Sequence, residues 1–350
     1  MESLKPLLEP VAESGLAMLI GLLIGAFFMI LFGYNPVVAY TAMFTGAFGN
    51  LTGIFETLAF ATPLMLTAIT FAIGVKGGLF NVGAEGQVYL GALGAVMAGA
   101  LITLPPGLHA ILATLFAMVM GALWALTPAI LKIWRGVHEV VSTIMFNWMA
   151  FYFTIYLIVY YLAEPGRAER SLPVLPSSRY PVLWHGSSFT AVFFVAVIFC
   201  IAVYFFLWNT KLGYEIRLMG SNPDAAKYAG VSPWRTTVVN FLIGGLASGM
   251  AGASQILGRP PAWSLYATLG NVAGYGFDGI GVALIGRNHP LGIILAAIFF
   301  GGLENGGRYM EYQAGVDSEM VRAINGIIVL ALSIPEILKL IRKFMKKRGV

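Results

Sequence analysis

Residues 78–87 read GLFNVGAEGQ and place three glycines and three polar side chains between two apolar runs. Glycine inside a helix costs stability relative to alanine, so the glycines predict a break in helical structure. The polar side chains are Asn81, Glu85 and Gln87, and a carboxylate at the centre of a bilayer costs at least about 2.5 kcal/mol. Such a segment is tolerated in a membrane only where protein or a water-filled cavity surrounds it. The segment therefore predicts a broken helix that lines or supports a cavity in a membrane protein.

The composition of the whole chain favours a membrane protein. Of its 350 residues, 58% are hydrophobic and 11% are charged, and the mean hydropathy is +0.81. Soluble domains carry roughly 25% charged residues, so this chain is far from that class. Apolar stretches of about 20 residues recur along it, each long enough to cross a hydrocarbon core about 30 Å thick. We predict an all-α, polytopic membrane protein with a single transmembrane domain over residues 1–350.

The apolar runs, each bounded by charged or turn-forming residues, predict about ten transmembrane helices. Their expected limits are residues 15–32, 54–75, 79–103, 110–131, 139–162, 189–208, 236–257, 273–286, 290–304 and 321–338. If the N-terminus is cytoplasmic, fifteen of the 21 lysines and arginines lie inside and six outside, as the positive-inside rule describes. Both termini are therefore expected in the cytoplasm. The net charge of +5 reflects this topology, and we expect no nucleic-acid partner.

Two loops are longer than a tight turn. Residues 163–188 are rich in Pro, Ser and Arg and are expected outside the membrane, whereas residues 209–235 are expected on the cytoplasmic side. The chain ends in a basic tail, residues 339–350, which we expect to lie on anionic lipid headgroups. The single cysteine, Cys200, lies in an apolar run and is expected to be a small buried side chain.

Within the cytoplasmic loop, residues 220–232 read GSNPDAAKYAGVS and predict a short capped helix. Ser221 or Asn222 can cap its first turn, Pro223 suits its first position, and Gly230 suits the left-handed residue that ends it. An isolated helix of this length is marginal in water, so we expect it to be held against something.

Two interpretations of this short helix remain open from the residues alone. It is either an ordinary interfacial turn or a docking helix for a partner protein. In the second case the small side chains of Ala225, Ala226 and Ala229 let a partner approach closely, and Tyr228 is an anchor. Asp224 complements the positive end of the helix dipole in both cases.

A second glycine-broken stretch, residues 274–281, reads GYGFDGIG and also carries an acid. Its Phe277 and Asp278 match Phe80 and Asn81 of the first stretch. In the predicted topology the first stretch opens a helix that runs outward, and the second opens one that runs inward. Paired breaks of this kind indicate an inverted repeat with a transport site between its halves. The alternative is that the glycines serve only close helix packing and that the acids are structural.

Sequence motifs of catalysis are missing. The chain has no GxxxxGK[ST] phosphate loop, no HExxH and no GxSxG. His138 and Glu139 open the fifth predicted span, but no second histidine lies nearby at metal-ligand spacing. Asn147, within MFNWM, is expected to face protein, either in packing or in a pathway. We therefore expect no enzyme active site, no metal and no cofactor on this chain.

Four stretches together resemble a known family. They read GLFNVGAEGQVYLGA (78–92), HEVVSTIMFNWMA (138–150), GSNPDAAKYAGV (220–231) and GYGFDGIGVALIGRNHPLG (274–292). Over nearly its whole length the chain is similar to the inner-membrane permeases of ABC importers, in the branch that serves branched-chain amino acids and simple sugars. Within that branch it most resembles the permeases for nucleosides such as guanosine.

The resemblance implies a type II-like importer fold and transport across the cytoplasmic membrane by alternating access. It also implies three partners: ATPase domains on another chain, which bind ATP and magnesium, a second permease subunit that is expected to differ from this one, and an extracytoplasmic substrate-binding lipoprotein. The family places its coupling helix at residues 222–230 of this chain. The expected coupling residues are Asn222, Pro223, Asp224, Ala225, Ala226, Tyr228 and Gly230.

A nucleoside has a polar ribose and a flat base, so its pathway needs hydrogen-bonding side chains and aromatic faces. The expected pathway residues are Phe80, Asn81, Glu85, Gln87, Asn147, Phe277 and Asp278. One alternative is an importer of the same class for ribose, another simple sugar or a branched-chain amino acid. The other is an ion-coupled carrier or channel, in which Glu85 and Asp278 are ion sites.

Overall fold

The computed structural model describes the backbone of residues 5–347 and the side chains of residues 17–332 and 334. The α-helices in this part are α1 Lys5–Leu31, α2 Pro36–Phe48, α3 Leu51–Lys76, α4 Ala84–Leu101, α5 Leu108–Arg135, α6 Glu139–Leu157, α7 Val192–Asn209, α8 Lys211–Ser221, α9 Pro223–Tyr228, α10 Pro233–Leu257, α11 Tyr275–Ile285, α12 Pro290–Ala314 and α13 Ser318–Lys347. Between α6 and α7 lie a π-helical turn, Ile158–Leu162, the strands β1 Ala163–Glu164 and β2 Arg167–Ser171, and a 3-10 turn, Pro176–Ser178.

Six helices in the described residues are long and apolar enough to cross a membrane, judged by length and composition. They are Leu51–Lys76, Leu108–Arg135, Glu139–Leu162, Val192–Asn209, Pro233–Leu257 and Pro290–Ala314. Three shorter helices are also apolar: Ala17–Leu31, Pro36–Phe48 and Tyr275–Ile285. Each of the ten spans predicted from the sequence overlaps a helix of the structure. The prediction of an all-α, polytopic membrane protein is confirmed.

Two helices are absent from the sequence prediction. The first, α2, is 13 residues long, too short to be recognised as a span, yet its start is marked in the sequence. Asn35 accepts hydrogen bonds from the amides of Val37 and Val38, at 3.0 and 3.3 Å, and Pro36 occupies the first helical position. The second is α8, which precedes the short capped helix. Its N-cap is Thr210, whose hydroxyl accepts from the Gly213 amide.

The chain divides into two compact units, of which the larger comprises residues 58–298. At its centre α4, α5 and α10 pack so closely that glycine is required where they cross. A Cβ on Gly91 of α4 would lie 2.5 Å from the Gly249 Cα of α10, and a Cβ on Gly249 would overlap the Ala117 carbonyl of α5. Such small-residue contacts let membrane helices approach closely. Close van der Waals packing holds helices together in lipid, where the hydrophobic effect does not.

Polar side chains also join α3 to α10 inside this unit. The Thr70 hydroxyl donates to the Gly244 carbonyl at 2.7 Å and lies 2.7 Å from the Ser248 hydroxyl. The Asn240 amide donates to the Ile73 carbonyl at 2.7 Å. All of these side chains are buried. Breaking their hydrogen bonds is costly, because no water is present in a membrane interior to replace the lost partners.

The smaller unit is formed by the two ends of the chain, up to Thr57 and from Phe299 onward. Its apolar core, in the part with described side chains, consists of Met29, Ala39, Met43, Leu303, Met310, Val316, Val321, Ile324 and Ile328. Asn305 of α12 donates to the Gly53 carbonyl at 3.0 Å and to the Thr57 hydroxyl at 3.2 Å, which ties α12 to the start of α3. The predicted basic tail, residues 339–350, has side chains outside the described part.

The long loop between α6 and α7 is ordered and bonded to its own unit. β1 pairs antiparallel with β2, and the Leu175 amide donates to the Gly99 carbonyl at the end of α4, at 2.8 Å. Arg179 donates to the Val174 carbonyl and stacks 4.9 Å above the Trp263 ring. The Arg170 guanidinium, bonded to Glu164, holds the pKa of that carboxyl below its usual range.

The helix crossing at Gly249 gives the first testable prediction. The variant Gly249→Ala places a methyl group against the Ala117 carbonyl, and overpacking of this kind costs about 1–3 kcal/mol. We expect a lower melting temperature of the purified protein in detergent, measured by the loss of monodisperse protein on heating. Gly326→Ala in α13 is the matched control, because a Cβ there meets nothing within 4 Å. Equal melting temperatures for the two variants would contradict the packing argument.

Candidate translocation site

The first turns of α4 and α11 meet at one carboxylate, that of Glu85. Its Oε1 accepts hydrogen bonds from the Gly274 amide at 2.6 Å and from the Tyr89 hydroxyl at 2.6 Å. Its Oε2 accepts from the Gly276 amide at 2.7 Å. The first amides of a helix have no intrahelical partner, and the helix dipole makes this end positive. The buried Glu85 carboxylate therefore caps α11 while it stands in the first turn of α4.

The two helix starts approach so closely that residue 276 must be glycine. A Cβ on Gly276 would overlap the backbone amide and Cα of Glu85 and lie 2.6 Å from its Oε2. The two glycine-broken stretches that the sequence predicts to be paired, residues 78–87 and 274–281, are thus in direct contact. This contact is the geometry expected of two helices that begin at one place inside the membrane.

The break before α4 is supported by side-chain amides. Asn147 of α6 accepts from the Gly86 amide at 2.8 Å and donates to the Val82 carbonyl at 2.9 Å. Asn81 accepts from the Gly83 amide at 2.9 Å. Backbone groups that leave helical structure in a membrane must find partners within the protein. These two asparagines supply such partners.

A cavity of about 180 Å³ lies beside the Glu85 carboxylate. Its lining residues are Glu85, Tyr89, Ile144, Asn147, Trp148, Phe151 and Phe277. The Tyr89 and Phe151 rings meet edge to face with centroids 5.8 Å apart, and Trp148 meets Phe151 in the same way at 5.8 Å. Ligand sites of this kind combine apolar aromatic walls with a few placed polar groups. The cavity can hold a flat, uncharged ring beside hydrogen-bonding groups.

The structure brings three of the seven predicted pathway residues to the cavity: Glu85, Asn147 and Phe277. Asn81 and Gln87 are fully buried and do not line the cavity; Asn81 bonds the Gly83 amide, and the Gln87 amide donates to the Asn81 Oδ1 at 3.4 Å.

Phe80 and Asp278 are not among the residues that line the cavity. Phe80 is half exposed at the opposite end of the broken segment, and its ring meets Phe71 edge to face at 6.0 Å. Asp278 stands in the first turn of α11, where its amide donates to the Gly274 carbonyl at 2.9 Å. The structure therefore places both residues away from the cavity.

The sequence reasoning missed the aromatic half of the cavity, Tyr89, Trp148 and Phe151, and also Ile144. For the residues on α6, a signal was present in the helical spacing. Ile144, Asn147, Trp148 and Phe151 follow the pattern i, i+3, i+4, i+7, which places them on one face of α6. Among the described residues no group of three or more His, Cys, Asp or Glu side chains could hold a metal.

The far end of the broken segment is held by an ion pair. Glu139, at the start of α6, accepts from the Phe80 amide at 3.3 Å and from the Lys132 ammonium of α5 at 2.6 Å. The Glu139 side chain is buried, so this pair is less screened by water than a surface ion pair. The segment is thus fixed to α5 and α6 at one end and to α11 at the other.

The loop between α7 and α10 contacts the same segment. A Cβ on Gly78 would lie 3.0 Å from the Gly220 Cα, and a Cβ on Gly220 would lie 2.7 Å from the Gly78 amide and overlap the Lys76 carbonyl. The last turn of α8 therefore lies directly against the backbone that leads into α4. Movement of this loop cannot leave the broken segment unchanged.

The short helix α9 has the caps that the sequence predicts. Asn222 accepts from the Asp224 and Ala225 amides at 3.1 and 3.0 Å, Pro223 begins the helix, and Gly230 follows it with φ of +78°.

The prediction that Ala226 faces a partner is corrected by its burial. Ala226 is fully buried within the chain, because α9 packs through it, so its small size serves the protein's own fold. Tyr228, by contrast, is 97% exposed, and Asp224 and Ala225 are exposed beside it. These side chains form the exposed face of α9.

The sequence of the chain matches a known family of membrane proteins. Residues 53–333 match the family "Branched-chain amino acid transport system / permease component". This match covers well over half of the chain, which therefore belongs to this family of permease components. The chain is a multi-pass membrane permease and not an enzyme.

Individual relatives are similar along almost their whole length. The guanosine ABC transporter permease protein NupP of Bacillus subtilis is 34% identical over 337 residues, which are 95% of this chain and 96% of that protein. The nucleoside ABC transporter permease protein NupB of Lactococcus lactis is 30% identical, over 93% of this chain and 91% of that protein. The glucose ABC transporter permease protein TsgB13 of Haloferax volcanii is 32% identical, over 93% and 87%. No solved structure matches the chain.

The Glu85 contacts give a second prediction. In Glu85→Gln one acceptor oxygen becomes an NH₂ group, so one of the three donors that meet the carboxylate loses its partner. An unsatisfied buried donor costs about 1–3 kcal/mol, and we expect a lower melting temperature in detergent. Glu311→Gln, at an exposed position of α12, should melt like the parent protein. A Glu85→Gln protein that melts at the parent temperature would show that α11 does not depend on this cap.

The contact between Gly220 and Gly78 gives a third prediction. Gly220→Ala pushes a methyl group into the Lys76 carbonyl, so we expect transport by the complete system to fall several-fold at an unchanged amount of protein in the membrane. Ser221→Ala, at the exposed neighbouring position, is the control and should transport normally. Normal uptake by Gly220→Ala would mean that this contact is dispensable.

Proposed function

We propose that this chain is the permease subunit of an ATP-binding-cassette importer that moves nucleosides across the cytoplasmic membrane. The observation that carries the proposal is the cavity beside Glu85, with four aromatic side chains and two polar ones. Relatives that span nearly the whole chain are named for guanosine and for nucleosides, which supports the same cargo.

The chemistry of the cavity suits a nucleoside. A flat base can stack on Trp148 or Phe277, both of which are about half exposed on the open side of the cavity. Ribose hydroxyls need donors and acceptors. The Asn147 side chain uses one N–H and one lone pair for the backbone, so a second N–H and a second lone pair are left for substrate.

The main alternative keeps the importer and changes its cargo to ribose, another simple sugar or a branched-chain amino acid. The relative TsgB13 is named for glucose, so a sugar is the stronger of these alternatives. An ion-coupled carrier with Glu85 as its ion site is disfavoured by the three hydrogen bonds that already occupy this carboxylate.

The proposal includes partners and an orientation. The ATPase subunit, which binds ATP and magnesium, docks on α9 through Tyr228 and its exposed neighbours. A second, different permease subunit completes the membrane part, and a substrate-binding lipoprotein delivers cargo to the loop of residues 163–188. Both termini and the loop of residues 209–235 then face the cytoplasm, in agreement with the positive-inside excess.

Uptake of labelled guanosine tests the proposal directly. Cells that express the complete transporter, with and without this subunit, are compared in the presence of unlabelled adenosine, ribose, glucose or leucine. We expect subunit-dependent uptake that adenosine alone inhibits and that ATP depletion abolishes. Inhibition by a sugar or by leucine would overturn the cargo, and uptake that survives ATP depletion would overturn the importer itself.

The docking role of α9 gives a fourth prediction. Tyr228→Ala removes an almost fully exposed aromatic side chain, and aromatic anchors of interfaces contribute about 2 kcal/mol or more. We expect guanosine uptake to fall at least several-fold, with the melting temperature of the isolated permease unchanged. Tyr312→Ala, at a tyrosine that is also exposed but lies at the end of α12, serves as the control. Uptake that is equal in both variants would argue against docking through Tyr228.

A further inference from the structure

One face of the span Glu139–Leu162 carries a row of exposed aromatic side chains. The aromatic row consists of Trp148, Tyr152, Tyr156, Tyr160 and Tyr161, which are between 49% and 72% exposed. The first four recur at every fourth residue, and this spacing stacks them along one face of a helix. The row therefore follows the helix for most of its length.

The rings of the row form two close groups. Trp148 and Tyr152 are stacked with centroids 6.4 Å apart, and Tyr156 lies 5.0 Å from Tyr160 and 5.8 Å from Tyr161. The helix changes to a π-helical turn at Ile158–Leu162, and this turn places two successive tyrosines beside Tyr156. Such π-helical turns are rare and are frequent at functional sites. The row widens at the end that leads into the loop of residues 163–188.

Contact with lipid does not explain Tyr152. It lies 13 residues beyond the start of α6, which is about 20 Å along the helix and near the middle of the span Glu139–Leu162. Among the described residues its hydroxyl has no hydrogen-bond partner. A hydroxyl without a partner in hydrocarbon is costly, and tyrosines of the aromatic belt lie at the interfaces instead. The middle of the row therefore faces water or a polar ligand.

The row is continuous with the candidate translocation cavity. Trp148 belongs to both, and Phe151 of the cavity meets Trp148 and Tyr152 edge to face at 5.8 and 5.3 Å. The deepest ring of the row is thus a wall of the cavity, and its other end opens toward the loop of residues 163–188. A molecule that moves along the row passes from the rings at its Tyr156 end to those of Tyr152 and Trp148, and so reaches the cavity.

We infer that the aromatic row is a stacking path on which a planar heteroaromatic ring, the base of the nucleoside, moves to the cavity. The inference rests on the proposed function, since it names the part of the substrate that the α6 face recognises. Within each group the rings lie 5.0–6.4 Å apart and offer neighbouring weak contacts, and transport needs sites that bind enough to admit a substrate and release it. A free sugar lacks the aromatic base and would meet these rings only through its C–H groups.

The chain offers a clean chemical test, because it has a single cysteine and this residue is buried. In a Cys200→Ala background, Tyr152→Cys and Tyr156→Cys are exposed to a charged, membrane-impermeant thiol reagent in membranes that hold the complete transporter. We expect both to be labelled and guanosine to protect them, while glucose does not. Phe153→Cys is the matched control. Phe153 is exposed on the same helix but on the side next to Trp124 of α5, 6.3 Å away, so a thiol there should face lipid, where a charged reagent does not react.

Labelling of the denatured proteins with the same reagent checks that each thiol is intact. If Tyr152→Cys and Tyr156→Cys label only after denaturation, the row faces lipid or a second subunit, and the inference is overturned even where guanosine uptake persists. If both label and glucose protects them while guanosine does not, the α6 face is still a substrate path. In that case its recognition of a base and the nucleoside cargo are both overturned. The two failures are therefore distinguishable.

A kinetic measurement adds a second readout that does not need labelling. Tyr152→Leu removes the ring, and loss of one base–aromatic stack corresponds to about a tenfold change in affinity, so we expect KM for guanosine to rise by about tenfold. Tyr152→Phe, which keeps the ring, should raise KM much less. A Tyr152→Leu transporter with the same KM as the Phe153→Leu control would overturn the inference.

Discussion

The capping of α11 by the Glu85 carboxylate is the contact on which the rest of the site depends. Two helices begin here, inside a protein that spans a membrane, and the first turn of each presents amides without intrahelical partners. Two positive helix ends in contact repel each other, and their free amides are costly in a membrane unless the protein provides acceptors. One negative charge between them reduces this repulsion. The same carboxylate accepts hydrogen bonds from Gly274, Gly276 and Tyr89. The break, the cavity wall and the position of Phe277 all follow from it.

This requirement divides the polar residues of the membrane region into two groups. Asn81 accepts from the broken backbone and from the Gln87 amide, and both side chains are buried away from the cavity. Asn147 satisfies the backbone but also reaches the cavity. Few polar atoms are therefore left to select a substrate, and recognition falls to aromatic rings. A polar residue at a break in a membrane helix belongs first to the backbone, and only its remaining hydrogen-bonding capacity is available for transport.

The sequence predicts the elements of this fold better than it predicts the surroundings of single side chains. Span positions follow from the length of apolar runs, and the cap of α9 follows from the order of Asn222, Pro223 and Gly230. These are local properties of the chain. Which face of α9 is buried depends on its packing partners. The prediction that Ala226 faces a partner is therefore wrong, because Ala226 is buried within the chain. The aromatic walls of the cavity are likewise set by the contact of α4, α6 and α11, which no single stretch specifies.

The broken segment also explains how a distant loop can act on the cavity. Gly220 lies against Gly78 at one end of the segment, and Glu85 holds α11 just beyond the other end. Between them, Glu139 and Asn147 bond the segment to α6, the helix that carries the cavity wall and the aromatic row. Close packing through glycine transmits displacement because no flexible side chain lies between the two backbones. A shift of α8 and α9 therefore has to alter either the Glu85 cap or the position of α6, and both border the cavity.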